Sequence, residues 1–213
     1  MIGRITFPKN PWPDGHALAS FAWTARVEPK GLFFELDLRS ADYDAEAEGA
    51  PTTKETSWES PIVWNNYHAC HLHADGRGFL AATEKDPLDL DRLEGRTFRV
   101  DTKPKPWDDA AFHIYLLGHD SVAKHEITFG PRHPDGAFSI DWKAKVCLSY
   151  AGATRYAHAL HARVERAKLE AIRVPRWEYD EERARAALAR VMPAGASLFY
   201  ARRGRGFAFA EGR

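Results

Sequence analysis

The sequence predicts an all-β chain, an antiparallel β-sandwich or jelly-roll-like barrel with one C-terminal helix. Three observations carry this. Residues 138–148 alternate without a break between apolar and polar side chains. Eight or more short strand-like segments are separated by turn signals, the pattern of sandwiches and barrels. Only 180–191 carries the start and stop signals of a helix.

The first of these is the cleanest. Phe138, Ile140, Trp142, Ala144, Val146 and Leu148 share one parity, while Ser139, Asp141, Lys143, Lys145 and Cys147 share the other. A sheet with one wet face produces this period, so Trp142 is expected inside and Lys143 and Lys145 outside. Before it, Phe7 to His16 is turning, proline-rich chain. Ala19 to Val27 and Leu32 to Arg39 alternate on either side of Pro29-Lys30-Gly31, a hairpin signature. Ile62 to Leu72 reads as a further strand, with Ile62, Trp64, Asn66, His68, Cys70 and Leu72 on its apolar face. Asp75-Gly76 then suits a tight turn into 78–82. Segments 96–100, 112–117 and 126–129 follow. Residues 156–174 fit a strand as well as a helix, and strand is preferred because the earlier strands need partners. Asp180 can cap a helix whose first turn holds Glu181 and Glu182, and Pro193 and Gly195 end it. Leu198 to Phe209 forms a closing basic hairpin.

The 213 residues make one domain, 1–213, in which 176–213 is the helix plus a basic terminal hairpin packed on it. Thirty Lys and Arg balance thirty Asp and Glu. Bulk charge therefore excludes the electrostatic mode of nucleic-acid or acidic-membrane binding. The balance is global but not local. Residues 163–213 hold twelve basic against seven acidic side chains, and 40–57 is a long acidic loop. No basic segment leads into an apolar one at the start of the chain, so no secretory signal is expected. Apolar runs fall far short of the ~20 residues that cross a bilayer. Cys70 and Cys147 stand 77 positions apart with no Cys-x-x-Cys spacing, which suits buried free thiols in a reducing compartment. A cytoplasmic, bacterial-style protein is the expectation.

Four features could carry chemistry. His71 and His73 share a strand face and could both ligate one divalent metal, with His68 or His125 as a third donor. The glutamate that a cupin barrel places shortly after such a pair is absent, the first being Glu84, and no family resemblance is drawn. The 26 Trp, Tyr and Phe residues include Trp12 between two prolines, and Trp58, Trp64 and Trp107 beside amides, hydroxyls or carboxylates, neighbours suited to sugar rings as well as to a core. Gly118-His119-Asp120-Ser121 holds the residue types of a hydrolytic triad, but adjacent side chains diverge, so a turn is expected. Arg202-Arg203-Gly204-Arg205-Gly206-Phe207 reads as a basic hairpin turn rather than an RNA-binding tail.

With Trp64 and Leu72 turned to the core, Asn65, Tyr67, His71 and His73 form a polar, aromatic row expected to line the principal cleft. The expected function is a noncatalytic binding module for a carbohydrate-like or other polar small ligand. The alternatives are a metal-dependent enzyme built on His71 and His73, and a protein-interaction partner that neutralises another protein through loop 40–57.

Overall fold

The computed structural model describes residues 2–43, 58–176, 179–203 and 206–210. Its strands in chain order are β1 (Gly3–Thr6), β2 (His16–Glu28), β3 (Gly31–Ser40), β4 (His71–His73), β5 (Phe79–Ala82), β6 (Thr97–Val100), β7 (His113–Tyr115), β8 (His119–Arg132), β9 (Phe138–Cys147), β10 (His158–Ala167), β11 (Leu169–Val174), β12 (Phe199–Arg203) and β13 (Gly206–Ala210). Its helices are α1 (Pro61–Asn65) and α2 (Glu181–Val191). Among the described residues, no helix is long and apolar enough to cross a membrane.

Eight strands close a ring in the order β1, β2, β3, β4, β7, β8, β9, β10 and back to β1, and every pair in it is antiparallel. The fold is a closed barrel, which corrects the sandwich half of the expectation. Alternating side chains serve the inner wall of either architecture. What decides is whether the first strand finds the last, and here β1 pairs with β10 from Gly3 opposite Val164 to Thr6 opposite His161. Gly3 permits that closure, because a Cβ there would stand 2.1 Å from the Arg163 carbonyl oxygen.

The barrel is filled by side chains of one parity. Trp23, Phe34, Leu36, Phe129, Ile140 and Trp142 are all essentially inaccessible to solvent. The Trp23 ring lies 5.0 Å from Phe34 and 4.9 Å from Phe129, so opposite walls meet through aromatic edges. β9 sits between β8 and β10 with Trp142 inside and Lys143 and Lys145 outside, as its alternation requires. The β2–β3 hairpin and the strand reading of 156–174 also hold, the latter as β10 and β11.

Outside the ring, β11 runs parallel to the second half of β2, and β13 and β12 add to it in turn. α2 begins at Asp180, whose carboxylate accepts the Arg183 N–H at 2.8 Å, and buries Ala184, Ala187, Leu188 and Val191.

Two corrections shape the rest of the molecule. The expected strand 62–72 is instead the five-residue α1, with Pro61 in its first turn, followed by a turn and then the three-residue β4. Trp64 is buried as expected, but Asn66 and His68 are exposed rather than facing the core. Asp75-Gly76 does not join a hairpin either. β4 and β5 both run antiparallel to β3, at Asp37–Arg39 and Leu32–Phe34, so they are two halves of one strand interrupted by a loop-out at 74–78. A tight turn and a loop-out make the same backbone demand, met here by positive φ at Asp75, Gly76 and Gly78. The neighbouring strand repeats the device. β6 and β7 both run antiparallel to β8, separated by the loop 101–112.

Candidate functional site: a cleft where the barrel wall splits

The two interrupted strands lie side by side. At one end they are stitched together, His71 opposite Tyr115, Leu72 opposite Ile114 and His73 opposite His113. At the other end they part, so that β5 pairs only with β3 and β6 only with β8. A cleft of about 930 Å³ opens between them, bounded by both loop-outs and by the β2–β3 turn. Its inner side is sealed by aromatic contact across the split, with Phe79 and Phe98 at 5.1 Å and Phe34 5.8 and 5.9 Å from each.

The walls carry both signs of charge. Arg26, Lys30, Arg77, Arg99 and Lys105 face Glu28, Asp101, Asp108 and Asp109. Each loop-out is tied down by one of these residues. Arg26 donates to the carbonyls of Gly76 and Arg77, and pairs with Glu28 at 3.1 Å and with the buried Glu35 at 3.6 Å. Glu35 also accepts from Thr24 at 3.1 Å and from Arg173. Asp101, itself buried, closes the neck of loop 101–112. One carboxylate oxygen accepts the Ala111 N–H at 2.7 Å, and Lys105 Nζ lies 2.8 Å from the other. Arg77 straps one loop-out to the other, donating to the Trp107 carbonyl at 2.6 Å and lying 3.7 Å from Asp108. Lys30 and Asp109 have no ion-pair partner within 4.0 Å among the described residues.

Trp107 covers His113, ring on ring at 3.7 Å. The His113 Nε2 lies 2.9 Å from the Trp107 carbonyl oxygen and 3.2 Å from Arg77 Nη1. Its Nδ1 is buried and lies 3.8 Å from Asp75.

The structure scatters the expected row. Asn65 ends α1 with its side-chain oxygen buried and unpartnered. Tyr67 lies in the following turn, 6.2 Å from the Tyr115 ring. Only His71 and His73 stand together, on the outer face of β4, stacked at 4.4 Å. None of the four lines the cleft. His71 and His73 line a separate hollow of about 410 Å³ beside it, with Asp37, Glu35 and Arg173, and the two cavities share Gly76 of the loop-out as a wall.

His71 Nε2 is 3.0 Å from the Asp37 carboxylate. Burial and the adjacent His71 hold the His73 imidazole below its ordinary range. The two proposed third donors are elsewhere. His68 is exposed at a left-handed backbone position. His125 points into the barrel, its Nδ1 accepting from Trp142 Nε1 at 3.1 Å, and burial lowers its pKa to about 4. Among the described residues, no group of three or more His, Cys, Asp or Glu is placed to hold a metal ion.

The His119-Asp120-Ser121 run is the paired start of β8, and the turn from β7 lies just before it at 116–118. Asp120 is fully buried and accepts backbone N–H groups of Leu117 and Tyr150 at 3.0 and 3.3 Å. Most of the acidic loop 40–57, from 44 to 57, lies outside the described residues, as do Gly204 and Arg205 of the basic hairpin.

Sequence reasoning did not pick out Arg26, Arg77, Arg99, Asp101 or Lys105. They come from three distant segments, and the legible hint was limited to outward charges alternating on the strands at Arg26 and Glu28. Compared with protein-family models, with curated proteins and with solved structures, the chain matches none. The class on which the fold and site agree is an antiparallel β-barrel with a charged cleft in its wall.

Proposed function

We propose that the chain is a noncatalytic binding module that takes a carbohydrate-like or other polar small ligand in the cleft between β5 and β6. The split in the barrel wall carries this reading. It creates a concavity within the ~300–1,000 Å³ range of small-molecule sites, with paired charges along its walls and aromatic rings beneath. Guanidinium forks and carboxylates supply donors and acceptors in fixed pairs, the complement of a polyhydroxylated or zwitterionic molecule. Phe33, half-buried on the cleft wall with the Arg26 guanidinium 6.0 Å from its ring, offers a stacking face. The ion pairs across the loops keep these groups in place before a ligand arrives, which lowers the ordering cost of binding.

Calorimetry against neutral sugars, sugar acids and amino acids tests this. A member of the panel should bind, and its affinity should fall at least tenfold in Arg77→Ala and in Asp109→Ala. A ligand that binds both variants at full affinity removes the cleft from the reading.

One observation favours a second reading, a metal-dependent enzyme. His71 and His73 stack at 4.4 Å with Asp37 beside them. Elemental analysis and thermal shifts with zinc, iron, nickel and manganese decide it. Absence of bound metal and of any stabilisation ends that reading.

A further inference from the structure

We infer a second site, on the outer wall of β8, β9 and β10, that binds a small organic anion, a phosphate or carboxylate carried on an apolar body. The wall is hollowed there by about 480 Å³, lined by Arg99, Lys124, Lys143, Lys145 and His161 with Glu126 as its one acidic residue. The hollow follows from the register. Lys145 stands opposite Ala123 on one side and Ala159 on the other, so two methyl groups flank a long side chain and leave space around its stem. Next along the strand, Lys143 lies between Glu126 and His161. The two lysines are about 7 Å apart along β9. Aliphatic stems and Ala159 provide an apolar floor, and ammonium groups form the rim.

The charge balance is one-sided in a chain whose net charge is zero. Glu126 is engaged by Arg99 at 3.3 Å. Asp141, just outside the hollow, is engaged by Lys143 at 3.6 Å and His161 at 2.6 Å. Lys124 and Lys145 have no acidic partner within 4.0 Å among the described residues. Lys124 also sits at φ +57, in the bulge where β8 slips register between Ala123 and Glu126. A lysine in that conformation is strained where glycine is not, and the bulge aims it at the rim. Strain of this kind gathers at binding sites, and here it adds a cation to a rim that already holds three.

The test uses the full chain and three probes, inorganic phosphate, phenyl phosphate and phenol, followed by amide chemical-shift mapping. Phenyl phosphate should saturate shifts at Lys124, Lys143, Lys145 and His161, at least tenfold more tightly than inorganic phosphate, with phenol weaker than either. Affinity should fall as salt rises. Lys145→Ala should weaken phenyl phosphate about tenfold. Lys124→Gly should weaken it similarly while raising the thermal midpoint, since it relieves the strained φ. Shifts that never saturate, that map to β5 and β6, or that keep their midpoint in both variants overturn the inference. Neither variant touches the β5–β6 cleft, so failure here leaves the first site standing. Arg99, which lines both cavities, is left intact for that reason.

Discussion

The barrel has a continuous wall and a split one. β8, β9 and β10 run ten residues or more and pair along most of their length. β4, β5, β6 and β7 are three or four residues each, and two loops interrupt what would otherwise be two ordinary strands. The continuous wall buries its inner face with hydrophobic side chains, His125 and, at the start of β8, Asp120. The split wall gives up pairing between β5 and β6 and instead ties its loops with Arg26, Arg77 and Asp101. Stability thus rests on packing in one region and on a few charge-assisted hydrogen bonds in the other, and the cavity opens where packing was relinquished.

Substitutions should separate the two. The largest effect belongs to the continuous wall. Trp142→Ala removes a fully buried indole and its bond to His125, and chemical denaturation should show a loss of about 3–5 kcal/mol. Acidification comes next. The buried His125 and His16 have pKa values lowered to about 4, His16 through burial and then Arg4. Both are neutral in the fold and take up a proton on unfolding. Their contribution is complete above the unfolded pKa of about 6.5 and declines as pH falls towards 4, by up to about 3 kcal/mol each. Denaturation midpoints should therefore be flat above pH 7 and drop between 6.5 and 4, and His16→Phe should shallow that drop. A midpoint independent of pH across this window would contradict neutral buried imidazoles.

Asp101→Ala, in the split wall, removes the acceptor that closes loop 101–112 and should cost about 2 kcal/mol. Hydrogen exchange should accelerate in 101–112 while β9 stays protected. Uniform acceleration would mean that the two walls are one cooperative unit. The smallest effect is at the other loop. Gly76→Ala meets no atom within 4 Å and pays only for its positive φ, about 1 kcal/mol. Gly78→Ala would bring a Cβ to 1.9 Å from the Phe34 carbonyl and should cost clearly more.

The same contrast explains what the sequence makes legible. Along β9 each residue meets one environment, so period and burial coincide from Phe138 to Val146. The β2–β3 hairpin reads equally well, because its turn residues and alternation agree. From Ile62 to Gly78 local signals compete. Trp64 is buried in a helix turn or a strand alike, and Pro61, a permitted first-turn residue, was the cue that favoured helix. Asp75-Gly76 states that φ becomes positive but not whether the chain then reverses or continues. The cleft had no local signature, since Arg26, Arg77, Arg99 and Lys105 meet only after the ring closes. His71 and His73 were correctly placed on one outward face, but whether that face held the larger cavity depended on loops far away in sequence.

The collinearity of β4 with β5, and of β6 with β7, has an evolutionary consequence. β3 and β8 act as rulers that hold each half-strand in register independently of what lies between the halves. Residues can be inserted into or deleted from 75–77 and 102–109 while the buried Ala74 and Phe79, and the buried Asp101 and Ala110 to Phe112, hold the two ends of each loop. Doubling such a loop adds only about 0.6 kcal/mol of closure entropy. The lining of the cleft is thus free to diversify while the barrel stays fixed, and grafting new sequences at these two insertion points is a direct route to altered ligand preference.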